Sequence, residues 1–314
     1  MLKKAQKKVI LLLIVIVSIL LNLYTFVQAY PKTFMPTYHI NVQQTLAKDF
    51  SAYYTAAWRL FRDPSNVYAQ EPVNDGGPVP QPQAFRYLPS FLIFASPLLS
   101  LRYQDALIAF DVLQFLLLPV VAFLLYGLLK ERSTLTIAVV IIIAILQPSP
   151  TSQWGLSASY FWQWAEGQDK VLNTALLLLA LYLGKSQKPI LSGAVLGLGA
   201  FDPRFFLLSL PLFALFNKLN LKRAGLSLIA SLIVFNFPLL LVDGIGPGFL
   251  QMAFQQGTSS PLFYYAIIPL MTLSSLIVVN IKELYLLLRA GFSKLSEYSR
   301  LIMSRVISFG NDSR

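Results

Sequence analysis

The chain has 314 residues, 56% of them apolar and only 12% charged; that balance excludes an ordinary water-soluble domain. It has no cysteine and one histidine, His39, which excludes disulfides, thiolate nucleophiles and cysteine-bound metal and argues against a histidine metal site. The net charge of +11 raises a nucleic-acid partner, and the placement of the charges answers it below.

Lys3, Lys4, Lys7 and Lys8 precede an apolar run at 9–29. It has the length a bilayer needs, about 20 residues, and Gln28-Ala29-Tyr30 is a poor cleavage site. The run reads as a retained first transmembrane helix. An outer loop, 30–103, follows. Within it, DFSAYYTAAWRLFR at 49–62 reads as a helix. At about 100° per residue, Asp49, Tyr53, Ala56 and Leu60 share a stripe, with Phe50, Tyr54, Ala57 and Phe61 beside it and Lys48, Ser51, Thr55, Arg59 and Arg62 opposite. Such a helix lies flat on a membrane or roofs a cavity. Asp49 reads in two ways: as an N-cap, or as a desolvated carboxylate with a task.

Residues 63–83 are rich in Pro and Gly and read as irregular; 85–101, interrupted by Pro89 and Pro97, reads as a second interfacial helix. Spans are predicted at 104–129, 134–147 and 170–184, joined by a basic turn at 130–132 and an aromatic loop at 148–168. Trp154, Trp162 and Trp164 in that loop read as interfacial anchors. The run 189–217 has basic flanks on both sides, so it is predicted to cross twice, reversing at Asp202-Pro203-Arg204. Spans at 224–242 and 262–281 complete the set, with 243–260 outside and 282–314 as a basic amphipathic tail on anionic lipid.

The expected architecture is an all-α polytopic membrane protein: a single transmembrane domain, 1–281, of about eight helices, plus interfacial helices in the first outer loop and a cytoplasmic tail, 282–314. Both termini are expected in the cytoplasm. Inner segments then hold 17 Lys/Arg and 4 Asp/Glu, the outer ones 8 and 10. The basic excess is thus explained by positive-inside topology and needs no nucleic acid.

The unusual residues gather at the outer face: Asp49, Tyr53, Arg86, Tyr87, Glu166, Gln168, Asp202 and Arg204. Charged groups beside apolar helices are costly and tend to be functional. Each also has a plainer reading: Arg86 and Tyr87 as headgroup anchors, Glu166-Gly167-Gln168 as a helix start, Tyr53 as core, Gly193 and Gly197 as close helix packing.

Asp49-x-x-x-Tyr53-Tyr54-x-Ala56-Ala57, Tyr68, Phe85-x-Tyr87-x-Pro89, Pro97-Leu98-Leu99, Gly167-Gln168 and Gly193-x-x-x-Gly197-Leu198-Gly199-Ala200 follow one another in that order. Over about residues 10–220 this resembles the GT-C superfamily of polyprenyl-phosphate-sugar-dependent membrane glycosyltransferases, most of all glycosyltransferase family 87. The resemblance implies an inverting hexosyl transfer, of mannose or a relative, from a polyprenyl-phosphate donor to a glycan or glycolipid acceptor at the outer face. It implies Asp49 as general base, with Arg86 and Arg204 ahead of Lys48 and His39 as partners of the phosphate. The chain departs from the family at Asp202-Pro203, where many members carry Lys-Pro, with Arg204 as a replacement cation or an ion-pair partner of Asp202. It departs again at Tyr87-Leu88-Pro89 in place of Tyr-Pro-Pro, and at Asp49-Phe50-Ser51, which lacks the second carboxylate of a metal-binding Asp-x-Asp. No metal or cofactor is expected. A lipid or solute transporter, and a degenerate scaffold of the same fold, are the competing readings.

Overall fold

The computed structural model describes residues 4–34, 48–69, 77–79, 84–146, 163–164, 167–255 and 267–290. Among these every regular element is helical. Three helices are long and apolar enough to cross a membrane: the first, α1 (Lys4–Phe34); α4 (Tyr103–Leu129); and α9 (Leu221–Leu240). A fourth candidate is the pair α11 (Ile267–Val279) and α12 (Ile281–Ala290), bent by 73° at the break between them.

Shorter helices fill the bundle: α5 (Thr134–Leu146), α6 (Lys170–Lys185), α7 (Pro189–Leu198) and α8 (Pro203–Phe216). At 1.5 Å per residue α5 is about 20 Å long, less than the hydrocarbon thickness. The run 189–217 is broken where its sequence allows. α7 ends in a 3-10 turn at Gly199–Phe201, and Pro203, which lacks an amide proton, starts α8. Asn217 at the far end of α8 donates to Ser192 Oγ (3.0 Å) near the start of α7, so the two halves fold back on each other. This is the reversal at Asp202 that the flanking lysines imply. Gly193 and Gly197 pack against α9: a Cβ on Gly193 would strike the Ala224 carbonyl, and Ser227 and Ser231 hydroxyls donate to the carbonyls of Ile190 and Ala194 (2.7 Å each). Close helix packing is therefore their role.

The basic turns share one end of the bundle. Lys185 Nζ donates to the Leu128 carbonyl (2.7 Å) and faces Glu131 (3.5 Å). Arg132 bridges to Glu283 (2.6 Å) and Asn280 (3.1 Å). At the opposite end the segment 84–101 is sewn to the bundle: the Leu88 amide donates to the Phe201 carbonyl (3.0 Å), and the Ser90 amide to Asn236 Oδ1 (3.1 Å).

Three expectations need correction. The helix at 49–62, here α2 (Lys48–Arg62), does not lie on a surface with one polar face. Ser51, Thr55 and Arg59, on its supposedly open side, are buried, and Phe61 is exposed instead. The chain around it, 84–101 and the start of α4, encloses it, and Arg59 Nη1 donates to the Asn66 carbonyl (3.1 Å). Trp164 is no interfacial anchor: its ring is buried and its N–H donates to Asn22 Oδ1 (3.0 Å), whose Nδ2 reaches the Ile145 carbonyl (2.7 Å). Within 243–260 lies a further helix, α10 (Ile245–Gln255), with Gly248 packed on Tyr68. The segment 85–101 is three short helical pieces, 89–91, α3 (Leu92–Ala95) and 96–100, two of them beginning at or beside Pro89 and Pro97.

Candidate functional site

Three helices begin at the same place, and each brings an aspartate. Asp49 lies in the first turn of α2. Asp169 is the N-cap residue of α6. Asp202 stands at the start of α8, where its carbonyl accepts from the Phe206 amide (3.2 Å). The partial positive charge of a helix N-terminus favours carboxylates. Lys170, the first residue of α6, stands among them against its own helix dipole. It is held by charge: its Nζ lies 3.0 Å from Asp169 Oδ1 and 3.6 Å from Asp202 Oδ2. Exposure of 0% for Asp169, 1% for Asp202 and 3% for Lys170 makes this a dry ion cluster.

Two tyrosines tie the cluster to α2 and to the segment 84–101. Tyr53 of α2 and Tyr87 each donate to Asp169 Oδ1 at 3.0 Å, their own oxygens are 3.0 Å apart, and Lys170 Nζ donates to Tyr87 Oη at 3.0 Å. Tyr68 donates to the Tyr87 carbonyl (2.8 Å) and fixes the strand-like stretch that carries it. Phe91 and Phe201 seal the far side, with ring centroids 5.2 and 6.3 Å from Tyr87. Burial, reinforced by the Asp169 charge, pushes both the Tyr53 and Tyr87 phenols well above their ordinary range, so they stay protonated donors.

Asp49 is placed differently. It is half-buried, not sealed. Burial raises its carboxyl above the usual carboxylate range, and the Asp169 charge adds to this. Lys170, a side-chain hydrogen bond from Gln168 and the charge of Arg86 oppose it. The helix begins at Lys48, so Asp49 sits one residue inside it and is not the N-cap. Its partners come from other elements.

The structure thus brings together six of the eight residues singled out in the sequence: Asp49, Tyr53, Arg86, Tyr87, Gln168 and Asp202. Arg86 is exposed beside Asp49. Glu166, His39 and the side chains of Arg204 and Lys48 lie outside the described residues, as do Trp154 and Trp162. Sequence reasoning missed Asp169 and Lys170, at the start of the span expected over 170–184. It also missed Asp111 and Gln114, both buried inside α4. The available signal was a charged pair sitting directly against an apolar run, and two polar residues within a span. Lys170, contributed by a neighbouring helix, faces Asp202 across 3.6 Å; whether Arg204 joins it falls outside the described residues.

Asp49, Asp169, Asp202, Lys170 and Arg86 sum to one net negative charge. One oxygen of the set, Asp169 Oδ2, is buried with no partner among the described residues. No group of three or more metal-ligating side chains occurs among them. The class defined by these observations is a helical protein of membrane character with a polar site at one end. No protein-family model matches the chain, and no curated protein or solved structure matches it either.

Proposed function

We propose that the chain is an inverting membrane glycosyltransferase of the GT-C type. It moves a hexose, mannose or a relative, from a polyprenyl-phosphate donor to a glycan or glycolipid acceptor at the outer face. In this reading eight spans place both termini in the cytoplasm, and the basic end of the bundle faces inward. The observation that carries it is Asp49: a half-buried carboxylate, raised by burial, gripped across elements by Gln168, beside a dry cluster that fixes its surroundings.

The chemistry follows from that placement. An acceptor hydroxyl must lose its proton as its oxygen attacks the anomeric carbon, and a carboxylate with a raised pKa is a better proton acceptor than an ordinary one. The donor's carbon–oxygen bond to phosphate breaks in the same displacement, inverting the centre, and the lipid phosphate leaves with its charge. Arg86, exposed and close enough to act on Asp49, is suited to meet that charge. Lys170 is committed to carboxylates, so its task is to hold the scaffold. The test is hexose transfer from radiolabelled polyprenyl-phosphate hexose in membranes holding the wild type or Asp49→Asn. Transfer in the first and not the second supports the reading; equal transfer removes Asp49 as base.

One observation favours a second reading. Buried Asp–Lys–Asp groups within spanning helices also serve carriers. A lipid or solute transporter predicts movement of the sugar lipid across the bilayer with its glycosidic bond intact.

A further inference from the structure

We propose that Gln114 is a positioning residue: from inside α4 it caps the first turn of α6 in place of Asp169, and so leaves the Asp169 carboxylate to Tyr53, Tyr87 and Lys170. This rests on the proposed site containing Asp169, and not on the reaction assigned to it.

An aspartate at an N-cap ordinarily turns its side chain back to the second or third amide of its own helix. Asp169 occupies that position in α6 and makes no such bond. The third amide is that of Leu172, and it donates to Gln114 Oε1 at 3.3 Å. Gln114 Nε2 donates to the Gln168 carbonyl in the residue before the cap. Gln163 completes the clamp: its Nε2 reaches Gln114 Oε1 (3.1 Å) and the same Gln168 carbonyl, and its own carbonyl accepts from the Gln168 amide (2.9 Å). Both ends of the Gln114 amide are therefore spent on the backbone of one turn. A fully buried amide in an apolar helix is costly unless its bonds are made.

The turn has no freedom to rearrange around the clamp. Gly167 adopts φ +61°, which disfavours any side chain, and a Cβ there would lie 2.7 Å from Phe50 Cβ and 2.8 Å from Leu107 Cδ1. The loop is thus wedged between α2, directly beside Asp49, and α4. Gln114 is about 16 Å along α4 from Tyr103 at 1.5 Å per residue, so the start of α6 is drawn deep into the bundle. Without Gln114 the Leu172 amide loses its acceptor, and the nearest replacement is the Asp169 carboxylate. Taking that bond pulls Asp169 off the tyrosines.

The test places a single 3-fluorotyrosine at position 87 and follows its 19F resonance in detergent. Gln114→Leu is expected to move the resonance as far as Asp169→Ala does, and the double variant no further, since both remove one contact. Gln114→Glu discriminates. Protonated, Glu offers the same donor and acceptor as Gln; ionised, it has no donor, and its repulsion by the Gln168 carbonyl turns the side chain off the Leu172 amide. Its resonance is expected at the wild-type position at low pH and displaced at high pH. The titratable groups around this turn are Asp49, Asp169, Lys170, Asp202 and, one turn before Gln114, Asp111, so each comparison is with wild type at the same pH. A wild-type resonance in folded Gln114→Leu, additive displacements in the double variant, or no pH-dependent departure in Gln114→Glu would overturn the proposal. The last arm decides the matter if the leucine variant fails to fold. In the hexose-transfer assay the expected effect is a loss of about tenfold in kcat with KM little changed. Absence of transfer by the wild type refutes the proposed reaction and leaves the resonance test standing.

Discussion

Asparagine at position 49 separates two consequences of one buried charge. The side chain keeps its size and an oxygen that accepts from Gln168, so the change removes charge and proton affinity and little else. A positioned general base is worth 10²–10⁴-fold, about 3–5 kcal/mol of barrier at 1.36 kcal/mol per decade. Transfer by Asp49→Asn is expected to fall by that factor. Stability should move the other way. Burial raises the folded-state pKa of Asp49 above its unfolded value of about 3.9. The folded chain therefore holds this proton more tightly, and the stabilisation is complete below the unfolded pKa and lost as pH rises through the folded one. Above that window the ionised carboxylate costs stability, and Asn removes the cost. Asp49→Asn is expected to unfold at a higher temperature than wild type at pH 7–8, with the gain vanishing toward pH 4. Wild-type transfer should rise with pH through the same raised pKa. Radiolabelled transfer and thermal unfolding at four or five pH values measure both. Transfer within threefold of wild type, or a lower unfolding temperature for Asp49→Asn at pH 8, refutes the reasoning.

Lys170→Met leaves Asp169 and Asp202 buried without their cation, a loss of about 3–5 kcal/mol. It also withdraws the cation that opposes the raised pKa of Asp49, so any surviving activity should reach half-maximum at higher pH; thermal unfolding and a pH–rate profile check the two parts. Gly193→Ala sets a methyl against the Ala224 carbonyl and 2.8 Å from the Leu228 amide, and overpacking of this kind costs about 1–3 kcal/mol. Gly225→Ala in the same helix pair meets nothing within 4 Å and should stabilise by about 0.5–1 kcal/mol; equal unfolding temperatures for the two variants would contradict the packing argument. Arg132→Ala removes a bridge whose side chains are 36% and 44% exposed, and its cost should stay under about 1 kcal/mol.

Local patterns were legible where apolar runs and prolines decide them. The long helices, the break in 189–217 at Asp202 and the pairing of Gly193 and Gly197 follow from spacing and from residues that cannot continue a helix, whereas 85–101, read as one helix despite Pro89 and Pro97, is three pieces. Asp49 was legible because a carboxylate is out of place on the apolar stripe of a helix; Tyr53, Tyr87 and Gln168 were singled out as polar groups beside apolar segments. The failures share one cause. Burial of the polar side of α2, the buried Trp164 and the Asp169–Lys170 pair are all set by which distant segment packs against them: Asn22 is 142 residues from Trp164, and Tyr53 is 116 from Asp169. Periodicity reports a face and not its partner. Asp169 was missed for a further reason: an aspartate before an apolar run reads as a cap, and the residue that relieves it of that duty, Gln114, lies on another helix.

The site has two layers, and their difference bears on what it does. The inner layer is Lys170 with Asp169 and Asp202, bonded at once to α2 through Tyr53, to the segment 84–101 through Tyr87, and to the starts of α6 and α8. A carrier must move its charged groups between two arrangements, and here any relative shift of these four segments breaks several bonds to buried charge together. The outer layer is Asp49 with Arg86, half-buried and exposed, set on the rigid inner one. A rigid interior beneath one reachable carboxylate supports chemistry at a fixed point over transport. The decisive comparison uses one sealed vesicle preparation: radiolabelled sugar lipid that changes leaflet with its bond intact favours a carrier, and label appearing on an acceptor favours the transferase.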